Sequence, residues 1–184
     1  MNSTRLSLAI ICLCFVWGYS ARDIAAQDKG AQTFGDSALK KEIAPLSRTI
    51  YDQGGERIFM FVRENVLSIQ GTQSTELQAT MHEGHITRII VTAYMTDGKY
   101  NIEYYIHQDE LIHVFETFEY VEEASPKDAW RNFKGYAAWE RRSYFKDGTI
   151  GYAEAQGDST PGKGGDAMIG AAKRLEQVLL DQAH

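Results

Sequence analysis

Cysteine is scarce in this chain. Of 184 residues only Cys12 and Cys14 are cysteines, and both sit inside an N-terminal apolar run. Downstream of residue 14 a disulfide framework, a thiolate nucleophile and a cysteine-ligated zinc are therefore excluded. Cations are outnumbered, 19 lysines and arginines against 25 carboxylates, for a net charge of −6 and a pI near 5.4. Such a balance argues against a nucleic-acid binder relying on phosphate neutralisation. No apolar run reaches the roughly 20 residues of a comfortable bilayer span. No Asn-x-Ser/Thr sequon lies beyond residue 4. No serine stands in a Gly-x-Ser-x-Gly elbow. Gly162-Lys163-Gly164-Gly165 lacks the spacing of a phosphate loop, and Asp166 follows where a hydroxyl is wanted. No cofactor is expected.

What is present is a globular composition, 43% hydrophobic and 24% charged. Arg5 precedes the apolar run Leu6–Trp17, which exits through Gly18-Tyr19-Ser20-Ala21. A cation, a short apolar stretch and a small-residue exit are the parts of a secretory signal. Cleavage after Ser20 fits, and Ala25-Ala26 offers a second site. Ile11 and Leu13 precede the two cysteines, so neither has the small neighbour that lipidation requires. The expectation is a signal peptide over 1–20, a flexible leader over 21–35, and a thiol-free mature chain, periplasmic or secreted, without a membrane span.

Asp36 can cap a helix whose stripe is Leu39, Ile43, Leu46 and Ile50, with Pro45 inside it and Gln53-Gly54-Gly55 after it. From Arg57 the period changes to two. Segments 58–62, 66–70, 76–81, 86–95, 100–106, 111–121, 137–145 and 149–154 read as strands. Tyr100, Ile102, Tyr104 and Ile106 alternate with polar residues and should face a core. Glu83-Gly84, Asp97-Gly98 and Asp147-Gly148 mark tight hairpins, and Gln108-Asp109-Glu110 a looser turn. Segment 156–165 has linker composition. A final amphipathic helix follows, with Met168, Ala171, Ala172, Leu175, Val178 and Leu179 on one face. The fold class expected is α+β: an antiparallel meander of about 6–8 strands, with an N-terminal and a C-terminal helix packed on one face. One domain spans 36–155 and takes in the helix of 166–184.

The units Glu103-Tyr104-Tyr105-Ile106, Leu111–Glu116 and Glu140–Ile150, the last containing Tyr144-Phe145-Lys146-Asp147-Gly148, carry a resemblance. The chain resembles a loose group of uncharacterised exported bacterial proteins with repeated Tyr/Phe-x-Asp-Gly hairpins behind an N-terminal helix. The resemblance implies the fold and the compartment, and it brings no active site.

Three constellations offer chemistry. His82 and His85 face each other across Glu83-Gly84 and could share a metal ion, with His107 or His113 joining if register permits; solvated residues at a hairpin end are the plainer account. Glu103, Glu116 and Glu140 could supply a carboxylate pair for glycoside hydrolysis, although acids on a wet sheet face are normally just solvated. Aromatic residues concentrate between 105 and 144, and Trp130, Phe133, Trp139 and Tyr105 are candidate contacts for a ligand. Without a dense polar constellation, the reading is an exported, non-catalytic binding module of the bacterial envelope. Its partner would be a protein, an envelope polymer or a small ligand. The alternatives are a periplasmic hydrolase or metal-dependent enzyme using His82, His85 and sheet carboxylates, and an inhibitor or immunity protein against a secreted hydrolase.

Overall fold

The computed structural model describes residues 31–62, 67, 69–121, 135–157 and 164–182. The element order is β1 (Gln32–Gly35), α1 (Ser37–Gln53), β2 (Glu56–Val62), β3 (Thr72–His82), β4 (His85–Met95), β5 (Gly98–His107), β6 (Glu110–Val121), β7 (Gly135–Lys146), β8 (Thr149–Gly157) and α2 (Gly165–Gln182). All eight strands form one antiparallel sheet, ordered β1-β8-β7-β6-β5-β4-β3-β2. It is the expected meander with a helix before it and a helix after it. Among the described residues no helix is long and apolar enough to cross a membrane. The signal sequence at 1–20 and most of the leader lie outside the described residues. The leader's last four residues are not flexible chain: they form β1, which pairs with Ala155–Tyr152 of β8.

Local chemistry accounts for the hairpins. Glu83-Gly84, Gln108-Asp109 and Asp147-Gly148 all hold positive φ at both positions, the backbone twist that matches two antiparallel strands. The Gln108-Asp109 turn is thus tighter than expected, closing His107 on Glu110. Asp97-Gly98 is a different case. Gly98 is already in β5, paired with Tyr120, and a Cβ there would sit 2.5 Å from the Glu119 carbonyl oxygen.

Helix α1 starts where Asp36 accepts a hydrogen bond from the Ala38 amide at 2.9 Å. It runs through Pro45 because that residue faces water, where the carbonyl left without a partner can be solvated. Leu39, Ile43, Ser47 and Ile50 are buried, whereas Leu46 is exposed. In α2 the buried stripe is Met168, Ala171, Ala172, Leu175 and Leu179; Val178 turns outward.

The helices do not share a face. Helix α2 covers a core of Leu77, Ile89, Val91, Ile102, Tyr104, Val114 and Phe145. Helix α1 covers a second, smaller core of Tyr105, Ile112, Tyr144 and Tyr152. Tyr104 and Tyr105 are neighbours on one strand and so point to opposite faces. Tyr100, Ile102, Tyr104 and Ile106 face the α2 core as expected. The reverse face of β5 is not wet at its end but roofed by α1. Register shifts between Tyr105 and Ile106 and between Tyr144 and Phe145 mark β-bulges. They leave Ile112 and Gly151 as extra residues, which carries Ile112 onto the α1 side. Each fully buried aliphatic or Phe side chain in these cores contributes about 1.5–3 kcal/mol.

Candidate functional site

The register lays side chains in rows across the α1 face. Arg88 pairs with Tyr105, Tyr105 with His113, His113 with Tyr144, and Tyr144 with Tyr152, one residue from each of five strands. The next row is Ile90, Glu103, Phe115, Arg142 and Glu154. Glu103 accepts hydrogen bonds from Arg88 Nε at 3.1 Å and from the Tyr105 hydroxyl at 2.7 Å. The Arg88 guanidinium stands 4.6 Å from the ring centre of Tyr51 on α1. The Arg142 guanidinium lies 4.4 Å from the Phe115 ring centre and donates to Glu140 at 3.2 and 3.3 Å. Lys40 of α1 reaches Glu154 at 2.6 Å and ties the start of the helix to β8.

Under the C-terminal half of α1 these rows leave a cavity of about 340 Å³. It is lined by Ala44, Ser47, Arg48, Tyr51 and Asp52 from the helix, and by Tyr105, His113, Phe115 and Arg142 from the sheet. That volume is at the lower end for small-molecule sites. His113 is the unusual member. Its ring is sandwiched between Tyr105 and Tyr144, at centroid distances of 5.1 and 4.5 Å. The residue is only 8% exposed, and neither ring nitrogen has a hydrogen-bond partner among the described residues. Burial, reinforced by the Arg142 charge, pushes its pKa from 6.5 down to about 3, so the imidazole is neutral. A neutral imidazole has one N–H to give and one nitrogen that accepts. Burial and the Glu103 carboxylate push the Tyr105 hydroxyl well above its ordinary range. Burial, with Glu154 nearby, raises Tyr144 to about 12.

The expected site residues are scattered relative to this cavity. Tyr105 is part of its wall, but buried and hydrogen-bonded rather than displayed. Trp139 is on the α2 face, half-buried beside Tyr100 and Phe118, with ring centroids 5.5 and 6.4 Å away. Trp130 and Phe133 lie outside the described residues. His82 and His85 are cross-strand partners, as the turn implies. Their side chains are 46% and 67% exposed, and His85 meets Asp109 at 3.2 Å. Among the described residues no group of three histidine, cysteine or acidic side chains could hold a metal ion. Glu103 and Glu116 sit on neighbouring strands but on opposite faces, since Glu103 pairs with Phe115. They cannot flank one scissile bond.

Phe115, Arg142 and the polar residues that α1 brings to the cavity, buried Ser47 and exposed Arg48, Tyr51 and Asp52, were not marked by sequence spacing. The available signal was the cluster Glu140-Arg141-Arg142, which puts one guanidinium on each face of a strand. Comparison with protein-family models, with curated proteins and with solved structures found no match to this chain.

Proposed function

We propose that this chain is an exported, non-catalytic binding module, and that the cavity between α1 and the sheet is where it takes a small organic ligand. The signal-like segment 1–20 and the absence of cysteine after it support export. One observation carries the binding site: a buried histidine, neither of whose ring nitrogens has a hydrogen-bond partner among the described residues, is part of the wall of a cavity open to solvent under a helix. Buried polar groups are normally satisfied, so such an exception at a cavity wall calls for a partner that the cavity can admit. The carboxylates support a binder over a hydrolase, because Glu103 and Glu116 are each held by an arginine on their own face.

Ligand-observed NMR tests the reading, using a set of neutral, cationic and anionic fragments, aromatic and aliphatic. The wild-type chain is compared with an Ala44→Phe variant that fills the cavity. Binding that is lost in the variant, with the circular-dichroism spectrum unchanged, supports it. Fragments that ignore the protein, or bind the variant equally well, refute it.

A further inference from the structure

We infer that the ligand is a small carboxylate on a flat, apolar body, which rests on the reading of the α1 cavity as the binding site. The lining residues carry two guanidiniums, Arg48 and Arg142, and one carboxylate, Asp52. Asp52 is already matched with Arg48 one helical turn away, at 3.7 Å. That leaves Arg142 as the charge at the sheet wall. Its planar fork has five N–H groups. Glu140 engages two of them, through contacts of 3.2 and 3.3 Å that are long for a charged pair. The protein as a whole is acidic, yet the lining itself carries two guanidiniums against one carboxylate, with Glu140 behind Arg142 rather than in the wall.

The aromatic walls give the rest of the class. Tyr105 and Phe115 line the sheet side and Tyr51 the helix side, so the apolar part of a ligand would lie against aromatic carbon on both sides. A cation would also be drawn to aromatic faces, but here two of those faces are taken. Arg142 already covers Phe115, and Arg88 covers Tyr51. An ammonium group would meet those guanidiniums and be repelled. A neutral ligand would leave the Arg142 fork to water. A carboxylate would accept from Arg142 and, with a small turn of the ring, from the one N–H of His113, a buried donor for which no described residue is a partner.

Isothermal titration of the full chain with benzoate, benzyl alcohol and benzylamine decides the matter. Three probes share one ring and differ in charge. The expected order places benzoate tightest, with a shift of the His113 ring nitrogen resonances in 15N NMR. Arg142→Gln should weaken benzoate about tenfold or more, in line with a charged hydrogen bond, and Arg142→Lys should recover part of that loss. If Arg142→Gln does not fold, the order of the three affinities and the His113 shift in wild-type protein decide alone. Benzyl alcohol or benzylamine binding in the cavity as tightly as benzoate would overturn the carboxylate assignment and leave the cavity reading standing. If none of the three binds while other fragments occupy the cavity, the class is wrong. If nothing occupies it, both are wrong.

Discussion

Glu116 on β6 and Arg141 on β7 stand directly opposite each other and share two hydrogen bonds, 2.5 and 2.7 Å long, under the cover of α2. The glutamate side chain is 3% exposed and also accepts from the Tyr100 hydroxyl. This is a buried ion pair away from the proposed ligand cavity, and its role is in the fold.

Removing one partner takes away the compensation that the other's buried charge receives. Glu116→Leu is expected to destabilise the protein by about 3 kcal/mol or more, because Arg141 would keep its charge and lose the buried carboxylate that accepts two of its hydrogen bonds. The triple variant Glu116→Leu, Arg141→Met, Tyr100→Phe removes the charges and the hydroxyl together, and should regain most of that loss. Urea unfolding of the single and triple variants checks the order. A triple variant no more stable than the single one would contradict it.

Much of this architecture is readable from residues, and the unreadable part has a physical cause. Acid–glycine pairs and the alternation in β5 carry the hairpins, because turn geometry and pleat are local. Alternation, however, counts tyrosine and histidine ambiguously. Tyr105, Tyr144 and Tyr152 bury an apolar ring and keep a polar tip, so the α1 face looks wet in the sequence. With one apolar face in view, both helices are assigned to it. The cavity is harder still to see. Its sheet wall is assembled across register from β5, β6 and β7, and its other wall from a helix between about 50 and 100 residues earlier. No spacing along the chain encodes that meeting. Strand β1 escapes for a different reason: four residues are too few to show a period.

His113 predicts an acid-side weakness. Its folded pKa, near 3, lies below the 6.5 of an exposed histidine. Between these values the unfolded chain binds a proton that the folded one does not, so stability falls as pH drops below about 6.5. The slope approaches about 1.4 kcal/mol per pH unit at its steepest. His113→Phe keeps an aromatic ring between Tyr105 and Tyr144 and cannot be protonated. The variant should therefore lose less stability than wild type between pH 6.5 and pH 4. Matched urea titrations at several pH values give the difference directly, and parallel curves for the two proteins would rule out the buried neutral imidazole.

Gly35 sets the joint between β1 and α1. It holds φ +84°, and a Cβ there would lie 2.1 Å from the Gly151 carbonyl oxygen, the same atom that accepts from the Asp36 amide at 3.1 Å. Gly35→Ala thus combines positive-φ strain with a backbone clash. It should cost well over the roughly 1 kcal/mol of strain alone, and should loosen α1 from the sheet. Gly148→Ala is the control, since Gly148 also has positive φ but open space around it. Thermal melts should show a small loss for Gly148→Ala and a large one for Gly35→Ala. Hydrogen exchange should locate the extra loss in α1.

Tyrosine ionisation reports both faces at once. Tyr94 is raised to about 12 by burial and by its bond to Glu76, and Tyr144 to about 12 by burial with Glu154 nearby. Tyr100, Tyr104 and Tyr105 are pushed higher still, again chiefly by burial. In the unfolded chain all of them ionise near 10, so stability is intact below pH 10 and declines as pH rises past it. Absorbance at the phenolate band should therefore show these five of the ten tyrosines silent at pH 11 as long as the protein stays folded. They should then ionise together with the loss of structure seen by circular dichroism. Gradual ionisation of all ten with structure retained would mean that the two tyrosine-rich cores are open to solvent. In that case neither the α2 roof nor the His113 sandwich would be as described.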